Sequence, residues 1–298
     1  MTKPTPAMRK AMAKAEVGDD VFCEDPTVQR LESMAAERLG MEASLFVPTG
    51  TMGNQIAVNL HTRPGQEVIL EERSHIYNYE LAAMAVLSGV IPRPLVGKRG
   101  ALTVEQVRAA VRPDVYYVTQ TGLIALENTH NMAGGAVFPR EEAKKILDFA
   151  RDAGIPVHLD GARIFNAAVA ANAPVARLVA GFDSVMFCLS KGLAAPVGSL
   201  IVGRKALIEQ ARIVRKRFGG GMRQVGILAA AGIVALETMV ERLAEDHKNA
   251  KRLAEGLKKI KGLALEDAET NIVIFDVSGL GMASGAFLAR LKERGVAA

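Results

Sequence analysis

The sequence is short of cysteine: Cys23 and Cys188 are the only two, too few for a disulfide framework. It has no CxxC motif and no Cys/His cluster, so no metal site is expected. The two thiols read as reduced, as in a cytoplasmic protein. Residues 1–14 are polar and basic with no apolar segment, so no signal peptide is expected. No uninterrupted apolar run reaches the length of a membrane span, and no membrane partner is expected. Charge of one sign is barely in excess. Lys and Arg number 37 against 32 Asp and Glu, a net +5. That bias suits anionic small ligands. Without a dense basic run it does not point to nucleic acid.

What is present is globular. Hydrophobic residues make up 49%, charged residues 23% and aromatics 5%, which excludes disordered and low-complexity classes. The 298 residues exceed one ordinary domain and can bury a large core.

Asp25-Pro26 predicts a helix start, with Asp as N-cap and Pro in the first turn, and Gly40 predicts its end. Beyond it the chain alternates. Strands are predicted at 45–47, 67–70, 90–96, 115–118, 123–126, 155–159, 184–189 and 197–202. Helices are predicted from 49, at 76–87, after a Thr103/Gln106 capping box, and at 140–150. The expected class is α/β, with a largely parallel sheet covered by helices on both faces. A long helical stretch is predicted over 223–257. A strand at 271–277 and a helix at 283–294 then open a smaller C-terminal α/β domain, expected to be incomplete because one strand and one helix cannot close a core. The predicted division is an N-terminal arm and helix at 1–38, a large domain at 39–236, and a linking helix with the start of the small domain at 237–298.

Three features fall at predicted strand ends, where open α/β sheets bind ligands. Thr49-Gly50-Thr51-Met52-Gly53 joins a strand to a helix and can present N–H groups to a phosphate. Alone it fits a plain tight turn as well. Asp160 ends an apolar strand and Arg163 follows. The carboxylate can pair with a protonated ring nitrogen and the guanidinium with a substrate carboxylate. The pair also fits an Asp capping a turn beside a solvated Arg. Lys191 follows another apolar strand. A lysine there is costly unless paired or covalently engaged, and it suits Schiff-base chemistry, although a loop lysine can equally be solvated. Together, a phosphate-type turn, then an acid, then a lysine 31 residues later (191 − 160) is the order expected of a pyridoxal-phosphate enzyme.

The segments Glu24-Asp25-Pro26-Thr27, Thr49 to Gln55, Ser74-His75, Glu127-Asn128-Thr129-His130-Asn131, His158 to Asn166, Cys188 to Gly192 and Gly219 to Gln224 resemble the low-specificity and L-allo-threonine aldolases. The resemblance runs over residues 2–298. It implies a fold-type I pyridoxal 5'-phosphate enzyme that cleaves L-threonine or L-allo-threonine to glycine and an aldehyde. It also implies a homo-oligomer, a dimer of dimers, with active sites at the dimer interface. Residue by residue, it implies that Lys191 holds the cofactor as an aldimine and that Asp160 pairs with its ring nitrogen. Gly50 and Thr51 would bind its phosphate, with Arg223 and Lys216 reaching from a neighbouring subunit. His75 would stack on the ring and serve as base or simply as a stacking group. Arg163 would hold the substrate carboxylate.

Family members usually begin with a stretch whose serine helps bind that carboxylate, and continue past residue 298 to a second arginine. They also carry a histidine where this chain has Tyr117, so an altered threo/erythro preference is expected. Among other residues, Tyr79 lies one turn after His75 and is a candidate for the aldehyde pocket, or for packing. His130 is a candidate for the substrate side or for support behind it. His158 reads as a hydrogen-bonded core histidine, and His61 and His247 as surface residues. Arg212, Arg215, Lys216 and Arg217 read as a basic helical face, solvated or turned to the phosphate. The other expectations open are another fold-type I enzyme, a β-eliminating lyase or amino-acid racemase, and a catalytically weak cofactor-binding scaffold.

Overall fold

The structure, a computed structural model, describes residues 2–297. Its centre is a seven-stranded sheet: β1 (Ala43–Val47), β2 (Glu67–Glu71), β3 (Ile91–Leu95), β4 (Thr121–Glu127), β5 (Val157–Asp160), β6 (Ser184–Cys188) and β7 (Ser199–Gly203). The spatial order is β1-β7-β6-β5-β4-β2-β3. Only β7 runs antiparallel to its neighbours, so the other six strands share one direction. All residues of β2, β5, β6 and β7 are buried, which is why they read as apolar runs rather than alternating ones.

The two sheet faces build separate cores. Leu45, Val47 and Ile201 point to one, with Ile56 and Ile208. Phe46, Leu200 and Val202 point to the other, with Leu31 and Phe187. The period of two along each strand produces that division. Each of these side chains contributes about 1.5–3 kcal/mol by leaving water.

The punctuation predicted from sequence holds. Asp25 caps the helix Pro26–Leu39 through Thr27 N and Val28 N, and its second oxygen accepts Gly226 N at 2.8 Å. Gly40 closes that helix at φ 64°, where glycine is unstrained. Thr103 and Gln106 form the capping box.

Four elements differ from expectation. The helix expected at 76–87 is two short ones, His75–Asn78 and Ala83–Ser88. They are separated by positive φ at Leu81 and Ala82, which turns Glu80 inward. Residues 115–118 form a turn, not a strand, and Tyr116 and Tyr117 are exposed there. The long stretch at 223–257 divides into Gly226–Thr238 and Leu243–Leu257. The strand expected at 271–277 is only Phe275–Asp276, paired antiparallel with Ala264–Leu265. The following helix, Ser284–Glu293, buries no residue, so this region adds little to the core.

Candidate active site

Because six strands are parallel in direction, the loops after β1, β2, β4, β5 and β6 emerge on one edge of the sheet. The phosphate-type turn, His75, Glu127, Asp160 and Lys191 are therefore gathered there by topology. Register confirms the core of it: Glu127 pairs with Asp160 across β4 and β5, and Asp160 with Met186 across β5 and β6.

The turn after β1 enters the helix Gly50–His61, with Thr49 as N-cap accepting Met52 N at 3.1 Å. Gly50 and Thr51 are thus the first two helical residues, whose N–H groups have no partner within the helix. A Cβ on Gly50 would lie 2.9 Å from Cys188 Sγ, so the backbone here approaches β6 closely. Lys191 is half-buried. Its carbonyl accepts Thr2 Oγ at 2.8 Å, so the N-terminal arm lies on the lysine loop.

Asp160 is buried and both its oxygens are engaged. Oδ1 accepts Ala162 N at 3.1 Å, and Oδ2 accepts Asn54 Nδ2 at 2.8 Å. It therefore caps the turn and also faces the site. Asn54 Nδ2 also donates to Glu80 Oε1 at 2.9 Å, and Gln55 Nε2 donates to Glu80 Oε2 at 2.7 Å. Glu80 in turn faces His75 Nδ1 at 3.1 Å. That hydrogen bond, with the nearby Asp160 charge, raises the His75 imidazole above its ordinary value against the opposing effect of burial. A carboxylate on Nδ1 fixes the proton there and leaves Nε2 as the basic nitrogen of the neutral ring.

On the other side Glu127 accepts His75 N at 2.7 Å and Asn131 N at 2.8 Å. Burial, then the Asp160 charge, pushes the Glu127 carboxyl up. Asn131 Oδ1 accepts Arg163 Nη1 at 3.0 Å. Arg163 Nε is buried with no partner, and among the described residues its guanidinium pairs with no carboxylate. A half-buried guanidinium left in that state is set to take an anion.

Other residues fall differently. Tyr79 is half-exposed beside His75, with ring centroids 5.6 Å apart, and its hydroxyl faces Met132 Sδ at 3.0 Å. The His130 ring is buried and bonded to Glu71 at 2.9 Å, an arrangement that fits support behind the site, one of its two expected roles. Tyr117 precedes β4 by four residues (121 − 117), at the opposite sheet edge from Asp160. A seven-residue strand spans about 20 Å, so Tyr117 does not reach the site of its own chain.

Arg212 and Arg215 do not form a solvated face. Arg215 is buried, donating to Asp20 at 2.6 Å and to the Phe46 carbonyl at 2.8 Å, and Arg212 bridges Asp20 and Glu32. Lys216 and Arg217 are exposed; Arg223 is exposed and pairs with Asp19 at 2.9 Å. His158 is a buried, hydrogen-bonded core residue, as predicted. His61 and His247 are not surface residues: His61 meets Ser184 Oγ at 2.8 Å and His247 meets Asn166 at 3.1 Å.

Sequence reasoning passed over Asn54, Gln55 and Glu80. For Asn54 a signal is available, since it shares a helix face with Val58 and His61; Glu80 lies between two short helices and has none.

These residues fit pyridoxal phosphate. Free helix-start N–H groups suit a phosphate. A buried carboxylate suits a ring nitrogen, an adjacent lysine suits the aldehyde carbon, and Arg163, with its Nε free, suits an amino-acid carboxylate. If His75 is the base, the acid limb of kcat/KM lies above pH 6.5, because the ring must lose its proton and its value is raised. His75→Asn is expected to remove that limb in a pH–rate profile and slow turnover about 10²–10³-fold.

Residues 1–279 match the β-eliminating lyase family. The chain is 46% identical to the low-specificity L-threonine aldolase 1 of Arabidopsis thaliana, across 99% of this chain and 85% of that protein. It is 45% identical to the low-specificity L-threonine aldolase of Escherichia coli K12, across 93% and 82%. The Leishmania major threonine aldolase structure superposes with a TM-score of 0.82 at 22% identity, covering 98% of this chain and 85% of that one, which supports the fold. No described helix is long and apolar enough to cross a membrane. The chain belongs to the β-eliminating lyase family and, like its threonine aldolase relatives, is a pyridoxal-phosphate enzyme.

Proposed function

We propose that this chain cleaves the Cα–Cβ bond of L-threonine and L-allo-threonine, giving glycine and acetaldehyde. The observation that carries the reading is the Glu80–His75 pair set beside Asp160 and Lys191, with Arg163, which pairs with no carboxylate among the described residues, nearby. In this reading His75 is the base, Asp160 the partner of the ring nitrogen, Lys191 the amine and Arg163 the carboxylate receptor.

Pyridoxal phosphate, when bound, supplies an electron sink conjugated to Cα. Lys191 Nζ is the amine that would hold the cofactor, and it lies where a substrate amino group would compete for it. Arg163 binds the substrate carboxylate and, with it, fixes which Cα bond lies along the conjugated system. His75 Nε2 takes the β-hydroxyl proton. As the hydroxyl oxygen becomes a carbonyl, the Cα–Cβ pair is released toward Cα, and Glu80 stabilises the imidazolium left behind. Asp160 favours the protonated ring nitrogen, so the released pair is accommodated. A proton returns to Cα to complete glycine, and Lys191 Nζ is the amine that would hold the cofactor once glycine has left.

The same reading assigns the enzyme to the cytoplasm and to a dimer of dimers. Lys216 and Arg223, both exposed, serve a neighbouring subunit's phosphate, and Tyr117 a neighbouring subunit's substrate pocket. Tyr117→His is expected to change the ratio of L-threonine to L-allo-threonine turnover by about tenfold, the range of one pocket contact. Parallel kcat/KM measurements on the two substrates check it, and an unchanged ratio removes Tyr117 from the pocket.

Reaction in reverse tests the function. The holoprotein given glycine and acetaldehyde is expected to form threonine isomers. A racemase or a β-eliminating lyase forms none, and that result would sink the proposal. The racemase and elimination alternatives are not favoured, because the relatives at 45–50% identity are named threonine aldolases.

A further inference from the structure

One buried chain of polar side chains remains outside the reaction just described. His61 Nε2 meets Ser184 Oγ at 2.8 Å, and Ser184 Oγ meets His158 Nδ1 at 2.9 Å. His158 Nε2 meets Asn54 Oδ1 at 3.1 Å, and Asn54 Nδ2 donates to both Asp160 and Glu80. Ser184 and His158 are fully buried. The chain therefore runs from the far end of the Gly50–His61 helix, along the sheet face beneath that helix, to the two carboxylates that serve the ring nitrogen and His75.

The links set one another's direction, starting from the two carboxylates. Asp160 and Glu80 are acceptors, so the Asn54 amide must turn its NH₂ to them and its oxygen to His158. That oxygen only accepts, so His158 Nε2 carries a hydrogen. Burial, reinforced by the neighbouring His61, pushes His158 down to about 3, so the ring is neutral and its Nδ1 is a bare lone pair. The single Ser184 proton must go to that lone pair. Ser184 Oγ then accepts, and His61 Nε2 must donate. Reversing any one link would leave two donors or two lone pairs facing each other in a dry interior, at a cost of about 1–3 kcal/mol per unsatisfied group.

We propose that His158, Ser184 and His61 are positioning residues. They lock the Asn54 amide in the one orientation that donates simultaneously to Asp160 and Glu80, and so hold the ring-nitrogen carboxylate and the His75 base in register. Freed of His158, the amide oxygen loses its donor, only the two carboxylates then hold the orientation, and any excursion that turns the oxygen toward the site repels both of them. The network then loses the donor that the two share. The inference rests on the reading of Asp160 as the partner of the ring nitrogen.

Two measurements test it. In protein carrying ¹⁵N-labelled histidine, without and with cofactor, the ring-nitrogen shifts of His158 and His61 should both report the neutral form protonated on Nε2. A proton on His158 Nδ1, or a charged His158 ring near neutral pH, overturns the proposal without reference to activity. The second measurement uses His158→Phe and His158→Gln in the holoenzyme. Phenylalanine fills the space with no donor, whereas a glutamine amide can still donate to Asn54. His158→Phe is expected to lower kcat about 10–100-fold with little change in KM, and to move the visible absorption band of the bound cofactor in the same direction as Asp160→Asn. His158→Gln should recover kcat and band position to within about threefold. If His158→Phe does not fold, the glutamine variant and the nitrogen shifts still decide. A glutamine variant as slow as Asp160→Asn, or a phenylalanine variant with wild-type kcat and spectrum, contradicts the positioning role. Absence of aldol cleavage in the wild-type protein would instead count against the function and leave the nitrogen shifts to judge the hydrogen-bond direction.

Discussion

Lys191→Ala should abolish turnover, with a fall of at least about 10⁴-fold in kcat, the scale seen when the covalent group of an enzyme is removed. Charge and nucleophilicity can be separated at this position. Arginine keeps the positive charge at the end of β6 but has no usable lone pair, since its guanidinium stays protonated. Lys191→Arg is therefore expected to be as inactive as the alanine variant, even though it preserves the local electrostatics. The fold should survive both changes. Lys191 is half-buried in a loop, and what ties it to Thr2 and Ala194 is its backbone carbonyl, not its side chain. A near-wild-type melting temperature with lost activity, together with lost borohydride trapping of the cofactor, is the expected combination. Appreciable turnover in Lys191→Arg would show that the lysine acts through charge alone.

Asp160→Asn is the second large effect, a fall of about 10²–10³-fold in kcat. The change is isosteric and removes one charge, so it isolates the electrostatic role at the ring nitrogen. The Oδ1 position still caps Ala162 N, and β5 should stay in place. Oδ2 is the atom that faces Asn54. With an amide there, either two NH₂ groups meet or the new one turns away, so the disturbance passes to Glu80 and His75 through Asn54. The acid limb assigned to His75 should therefore move in Asp160→Asn, as well as the rate. The decisive observation is the cofactor absorption band. A band and rate unchanged from wild type would mean that Asp160 does not serve the ring nitrogen.

Much of this site was legible because chemistry and topology leave separate marks. Asp160 ends β5 and Lys191 follows β6 by three residues (191 − 188), and a charge just after a largely apolar run stands out. Gly50 and Thr51 were legible from the strand–glycine–helix pattern. The carboxylate network behind His75 was not. Glu80 lies in what reads as one amphipathic helix, and its inward turn depends on positive φ at Leu81 and Ala82, two residues with no glycine to announce it. His61 looked solvent-facing because its helix is followed by a polar loop. Its partner Ser184 is 123 residues away, and only the assembled sheet brings them to 2.8 Å. Tyr117 is named by the resemblance alone, and within its own chain a whole strand separates it from Glu127. Arg212 and Arg215 looked free because Asp20 and Glu32, which they bind, precede them by nearly two hundred residues.

The account stands or falls on the bond that is broken. Purified holoprotein should be given L-threonine and L-allo-threonine separately, and glycine, acetaldehyde, 2-oxobutanoate and D-amino acids quantified together. The expected result is glycine and acetaldehyde in equal amounts from at least one substrate, with the same products absent from Lys191→Ala. Formation of 2-oxobutanoate, or of epimerised amino acid without aldehyde, would contradict it.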